Sequence, residues 1–112
     1  MKLSARDAII DPRKLRDYLL SDEHPDGRSK AHYLVLLGYE QDHWERLAED
    51  LRQQILPLDA RHLEDSPWGS KYEILGVLRG PSGRTGGIRS IWVVRRRETR
   101  PRLVTLTPWK AK

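Results

Sequence analysis

Apolar residues recur at helical spacing through the first half of the chain and in short extended runs through the second, with the change at Pro57. Asp11 before Pro12 predicts a helix start, the acid as cap and the proline at the first helical position; Leu15, Tyr18 and Leu19 follow to about Leu20. Ser21 to Gly27 contains a proline and an Asp-Gly pair and reads as a loop. Ser29 is placed to cap a second helix from Lys30 to Leu37, ended by Gly38. That helix is apolar on most of its surface, which predicts burial, with His32 on its exposed side. Asp42 and Glu45 form a D-x-x-E capping box for a third helix, whose stripe is Trp44, Leu47, Ala48, Leu51 and Ile55.

Beyond Pro57, segments near Ala60 to Leu63, Lys71 to Leu78, Ile88 to Arg95 and Arg102 to Thr107 are rich in strand-forming residues. SPWGS, RGPSGRTGG and RRETRP separate them, so the four strands are expected to be antiparallel. Ile88 to Arg95 should put Ser90 and Trp92 on one face and Arg89 and Arg95 on the other. The expectation is an α+β domain, three N-terminal helices on one face of a four-stranded antiparallel meander sheet. At 112 residues it should form a single domain, helical over about 11–56 and sheet over about 58–108.

Composition changes this picture mainly through charge. Residues 1–78 hold 11 Lys and Arg against 15 Asp and Glu, a net of −4, whereas residues 79–112 hold 10 against 1, a net of +9. Such a basic lobe attracts polyanions by steering and counterion release; the plainer reading is a solvated hairpin tip around RRRETR. No apolar run approaches the length of a membrane span, and the charged start MKLSARDAII does not resemble a signal peptide, so a cytoplasmic chain, or a part of a larger protein, without membrane contact is expected. There is no cysteine, and His24, His32, His43 and His62 form no compact pair, so no metal site or cofactor is expected.

No Walker loop, G-x-S-x-G or H-E-x-x-H is present. GPSGRTGG precedes a strand rather than a helix and reads as a hairpin loop, and the PWG of the linker reads as a turn with its aromatic packed over it. What remains is a polar set suited to phosphate: His24, Arg28, Lys30 and His32 from the helical half, Lys71, Tyr72, Arg84, Arg89, Ser90 and Thr105 from the sheet. Metal-free RNA cleavage needs a base for the 2′-hydroxyl, an acid for the leaving oxygen and cations for the phosphorane, and these side chains can supply all three. Each also has a structural reading as a turn, cap or strand residue.

The succession KLRDYLL, SK with an aromatic and LLGY, W-x-x-L-x-x-D-L-R-Q-Q, SPWGSKYEILGVLRGPSGR, IRSIWVV and PRLVTLTP resembles a bacterial family of domains of unknown function, DUF6883, over about residues 7–108. Members occur alone and as C-terminal domains of large secreted toxins. Their helices-then-meander plan is similar to the metal-independent ribonuclease fold of barnase, EndoU, colicin tRNases and RelE toxins, and by that analogy implies RNA cleavage. The resemblance points to His24 with Pro25, Lys30, Tyr72, Ser90 with Trp92, and Thr105. Ser90 stands where Thr is usual, which keeps the hydroxyl; Thr107 replaces an aromatic, which weakens a stacking role there.

The expected function is a small ribonuclease-like toxin domain that cleaves RNA, tRNA and mRNA being the classes considered, by 2′-hydroxyl attack. Lys30 is the expected phosphate or transition-state cation and His24 the acid or base; Ser90 and Thr105 are the positioning hydroxyls. Arg28, Lys71, Tyr72, Arg84, Arg89 and Trp92 are the expected RNA-binding residues. An acidic antitoxin or immunity protein should then exist as a partner. The alternatives are a non-catalytic RNA- or protein-binding module, such as the partner of a neighbouring gene product, or a regulator working by strand addition at the sheet edge. Whether Lys30 reaches Ser90 and Thr105 separates the first from the rest.

Overall fold

A computed structural model describes residues 1–24 and 28–110. Helix α1, Pro12–Lys14, opens on Asp11, whose Oδ1 accepts from the Arg13 backbone N–H at 2.9 Å, as the Asp-Pro pair predicts. It widens at once into a π-type turn, Leu15–Leu19, closed by Leu20 N–H to the Leu15 carbonyl at 2.8 Å. Helix α2, Arg28–Leu36, follows, then a 3-10 turn, Gln41–His43, and α3, Trp44–Asp50, which ends in a second π-type turn, Leu51–Ile55.

Two capping expectations are corrected. Ser29 is the second residue of α2 rather than its cap, because the helix already begins at Arg28; the preceding position lies outside the described residues. The Asp42–Glu45 box does not form: α3 begins at Trp44 after His43, with no side-chain cap, and Asp42 is taken up in the 3-10 turn. That turn is closed by its own His43 N–H to Glu40 carbonyl bond at 3.1 Å and is fixed from outside by Gln41 Nε2 donating to the Arg16 carbonyl at 2.7 Å. The end of α2 follows expectation. Gly38 stands at φ +100°, its N–H reaches the Val35 carbonyl at 2.9 Å, and Tyr39 N–H reaches the Leu34 carbonyl at 3.1 Å, a Schellman closure.

Strands β1 (Arg61–Ser66), β2 (Gly69–Arg79), β3 (Thr85–Arg95) and β4 (Pro101–Pro108) form an antiparallel sheet in sequence order, longer at most ends than the sequence pattern suggests. Ile74, Leu78, Ile88, Trp92 and Leu106 meet Leu15, Leu19, Leu34, Leu47, Leu51 and Ile55 in the core, so the helices cover one face. Leu75 and Val77 of β2 remain exposed on the other. Helix α2 is less buried than its composition suggests. Ala31, Leu34 and Leu37 face the core, while Val35 and Leu36 are 58% and 59% exposed.

The first ten residues strap the sheet. Ala60 N–H donates to the Met1 carbonyl at 2.6 Å; Ile9 lies parallel beside β4, with its N–H on the Pro101 carbonyl at 2.7 Å and its carbonyl accepting from Leu103 N–H at 3.1 Å. This covers part of the β4 edge, which removes that stretch from the strand-addition reading.

Candidate functional site

Lys30 lies in the first turn of α2, and its ammonium reaches β4. Nζ donates to Thr105 Oγ1 at 2.9 Å and to the Tyr18 phenol oxygen; the two hydroxyl oxygens are 3.3 Å apart, closing a polar triangle. The ammonium is 4.7 Å from the Tyr18 ring centre. Since it bonds the phenol oxygen, this is an approach at the hydroxyl end rather than a stack over the face. His24 packs edge-on against the same ring, centroids 4.8 Å apart at 73°, and Lys14 Nζ lies 5.7 Å from its centre. Tyr18 is the hub joining Lys14, His24, Lys30 and Thr105.

Two local irregularities put these side chains together. The π-type turn sends Leu15 and Leu19 fully into the core and leaves Tyr18 half-buried beside β4. On the strand, β4 pairs Leu103 with Trp92 but Thr105 with Ile91, so Val104 is an extra residue. Such a bulge re-aims the side chain beside it, here Thr105, toward the helices.

The recess at the hub is lined by Asp11, Arg13, Lys14, Asp17, Tyr18 and His24. Its two carboxylates are committed: Asp11 to Arg13 at 2.9 Å and Asp17 to Arg16 at 2.9 Å. The Arg13 side-chain and backbone donors hold the Asp11 carboxyl below its ordinary range, and the Arg16 guanidinium does the same to Asp17. Lys14 and Lys30 have no such carboxylate partner among the described residues, so the hub has a positive balance. Asp11 and Lys14 also line a second recess, with Val93, Arg95, Arg102 and Val104 beside β4, so the two recesses adjoin at Asp11 and Lys14.

Of the four residues expected to act in catalysis, the structure brings Lys30, Thr105 and His24 together and places Ser90 elsewhere. Ser90 is fully buried on the core face of β3, where its hydroxyl donates to the Ile74 carbonyl at 3.0 Å and accepts from Trp92 Nε1 at 2.9 Å. Trp92 is fully buried with it and offers no face for a base.

The other residues expected to bind RNA are dispersed. Arg89 is paired with the buried Glu73, which Arg61 also approaches at 3.5 Å. Lys71 pairs with Glu64 at 3.3 Å, and Tyr72 packs edge-on against His62 at 5.5 Å. Arg84 lies in the β2–β3 turn, where Ser82 N–H bonds the Leu37 carbonyl at the far end of α2 from Lys30. The side chain of Arg28 and the Pro25 that follows His24 lie outside the described residues.

Sequence reasoning missed Tyr18 and Lys14. Tyr18 falls between Leu15 and Leu19 and reads as part of their stripe; the one signal was Lys14, four residues earlier, which puts a cation beside a phenol on a short helix. Trp68 was also misread. It is 81% exposed, not packed over its turn.

A family model described as a domain of unknown function, DUF6883, matches residues 2–110. Among curated proteins nothing matches. Among solved structures, the chain is similar to one from a "contact-dependent growth inhibition toxin - immunity protein complex" of Klebsiella pneumoniae 342, with 20% identity and a TM-score of 0.69, over 96% of this chain and 97% of that one. At that identity the likeness shows a shared fold.

Proposed function

The chain belongs to the DUF6883 family, and we propose that it is a toxin-like ribonuclease domain whose active site is the groove around Tyr18. The observation that carries this reading is the Lys30 ammonium held between the Tyr18 phenol and the Thr105 hydroxyl, with His24 against the same ring. An ammonium has three donors, and Tyr18 and Thr105 account for two. The third is available to a phosphate oxygen. In the proposed step the His24 imidazole takes the proton of a ribose 2′-hydroxyl as that oxygen bonds to the neighbouring phosphorus. Lys30 neutralises the charge growing on the phosphorane oxygens, and Thr105 orients the ammonium. The bond to the 5′-oxygen breaks, and the Tyr18 phenol, polarised by Lys30, gives that oxygen its proton. The products are a 2′,3′-cyclic phosphate and a 5′-hydroxyl end. No step uses Ser90, and Arg84 and Arg89 are not assigned to the substrate.

A shared fold with a chain from a toxin–immunity complex is compatible with this reading and equally with the partner's role in such a pair. The second reading, a non-catalytic protein-binding module, is favoured by the exposed Val35 and Leu36 beside a recess lined by Leu20, Ala31 and His32. Incubation of the full chain with total tRNA and with mRNA separates the two. Cleavage by wild type that falls at least about 100-fold in Lys30→Ala, with an unchanged melting temperature, is the expected result. RNA left intact by wild type would sink the ribonuclease reading and leave the module.

A further inference from the structure

One end of the sheet carries an exposed indole beside three consecutive arginines. The β1–β2 turn presents Trp68, and the end of β3 with the turn after it presents Arg95, Arg96 and Arg97, all exposed. The two turns are locked together. Gly69 pairs with Arg95, and Arg96 N–H donates to the Trp68 carbonyl at 3.0 Å. Gly69 stands at φ +153°, and a Cβ there would strike the Val94 carbonyl, so glycine is what lets the turns approach. Trp68 N–H is held by Ser66 Oγ at 3.2 Å, and that hydroxyl donates to the Gly69 carbonyl at 3.3 Å. The backbone is fixed on both sides while the indole stands in water at 81% exposure. An aromatic of that size is normally mostly buried, so a rigid turn presenting it to solvent is a feature that needs an occupant.

The charge beside it is uncommitted. Arg95, Arg96 and Arg97 make no ion pair among the described residues, whereas the nearby acids are engaged. Asp65 is held below the ordinary carboxylate range by the Ser70 hydroxyl and then by His62, and Glu98 pairs with Arg102. The tip also connects to the hub. Arg95 lines both the recess between the turns, with Ser66, Tyr72 and Arg96, and the recess beside β4, which adjoins that of Tyr18 and His24 at Lys14.

We propose that this surface is a track for single-stranded RNA: Trp68 stacks on a base, Arg95 to Arg97 neutralise backbone phosphates, and the strand passes Arg95 and Lys14 to reach Lys30. The far end of the track rests on the ribonuclease reading; the tip does not. Rigid aromatics beside guanidinium groups suit a polyanion whose every unit offers a flat π-face, and such stacking is tolerant of sequence. An acidic protein could bury the indole as an interface anchor as well; what favours RNA is the row of adjacent guanidinium groups continued by Arg95 and Lys14, which matches a chain of evenly spaced phosphates.

The test uses the full chain and a fluorescein-labelled, unstructured 12-nucleotide RNA with 2′-O-methyl sugars, which cannot be cleaved by 2′ attack, followed by anisotropy. Trp68→Ala should weaken binding by about 5- to 150-fold, the range expected for one lost stack, and Trp68→Phe should keep most of it. Replacing Arg95, Arg96 and Arg97 together by Gln should lower the slope of log affinity against log salt by about 2. Lys30→Ala, tested on the unmodified RNA, should lose cleavage. If Trp68→Ala and the triple variant both bind within twofold of wild type, the track is overturned, even where Lys30-dependent cleavage survives. Weakened binding in these variants, with no cleavage by wild type, keeps the track and removes the catalytic reading.

Discussion

Ser90 and Trp92 form a hydrogen-bonded pair inside the core, and the pair explains why a hydroxyl belongs at position 90. Trp92 Nε1–H has no access to water, so its acceptor must come from the protein, and Ser90 Oγ supplies it at 2.9 Å. Ser90→Ala strands that donor and should cost about 1–3 kcal/mol in urea unfolding, whereas Ser90→Thr keeps the acceptor and most of the stability. On the ribonuclease reading proposed above, RNA cleavage per folded molecule should be unchanged by either, which separates a core role from a site role. Tyr39 offers a second test. Its phenol is buried and donates to the buried Asp50 carboxylate at 2.6 Å; burial, then Asp50, raises its pKa far above the ordinary 10.0. A group whose folded pKa is raised stabilises fully below its unfolded value and loses that contribution as pH climbs above it. Melting temperature should therefore hold to about pH 10 and fall beyond it. Tyr39→Phe should flatten that alkaline fall while costing about 1–2 kcal/mol at neutral pH, because among the described residues Arg46 is then the side chain left to Asp50. At this scale the sequence made the Lys30–Thr105 contact a posable question, since a cation and a hydroxyl stood out from apolar surroundings. It hid Tyr18 because an aromatic between two leucines has the spacing of a core residue, and it hid the exposure of Trp68 because turn geometry decides which way an indole points.

The closure of α2 ties a helix to a hairpin. Gly38 turns the chain at φ +100°, and a Cβ there would collide with the Ser82 backbone N of the β2–β3 turn. Gly38→Ala thus combines a left-handed backbone penalty of about 1–2 kcal/mol with a clash against main chain, and a loss of at least about 2 kcal/mol is expected in thermal or urea unfolding. Among the elements, the strands were the most legible, because β-branched and aromatic runs alternate between clear turn signals. Their ends were extended by pairing partners that no local pattern records: Gly69 to Ser70 joins β2 through Arg95 and Val94. The two π-type turns were illegible, since a leucine stripe looks the same in a regular helix and in one widened by a residue. The Asp42–Glu45 box had the right letters, but contacts from Glu40 and Gln41 set the entry to α3 one residue late.

Over the whole molecule, the charge asymmetry of the chain becomes a spatial one along the β3–β4 hairpin, where Arg95 and Arg102 line the recess that adjoins the hub and Arg95 and Arg96 the recess between the turns. A neutralising partner for such a face should be acidic, and its association rate should fall by about tenfold or more as salt rises from about 0.05 to 0.5 M; stopped-flow measurement of the complex checks this. The strap has a different consequence, in time rather than in space. Ile9 finds its hydrogen-bonding partners at Pro101 and Leu103, and Asp7 accepts from Arg100 Nε at 2.9 Å. A ribosome finishes the strap early, yet its docking site only when the last strand has emerged. Closing so long a loop is an entropic toll taken late, so the final ordering of the β4 edge, and with it the Thr105 side of the groove, belongs to the end of folding rather than to its beginning. A nascent chain of this protein would carry its helices and first hairpin well before it carried a completed site.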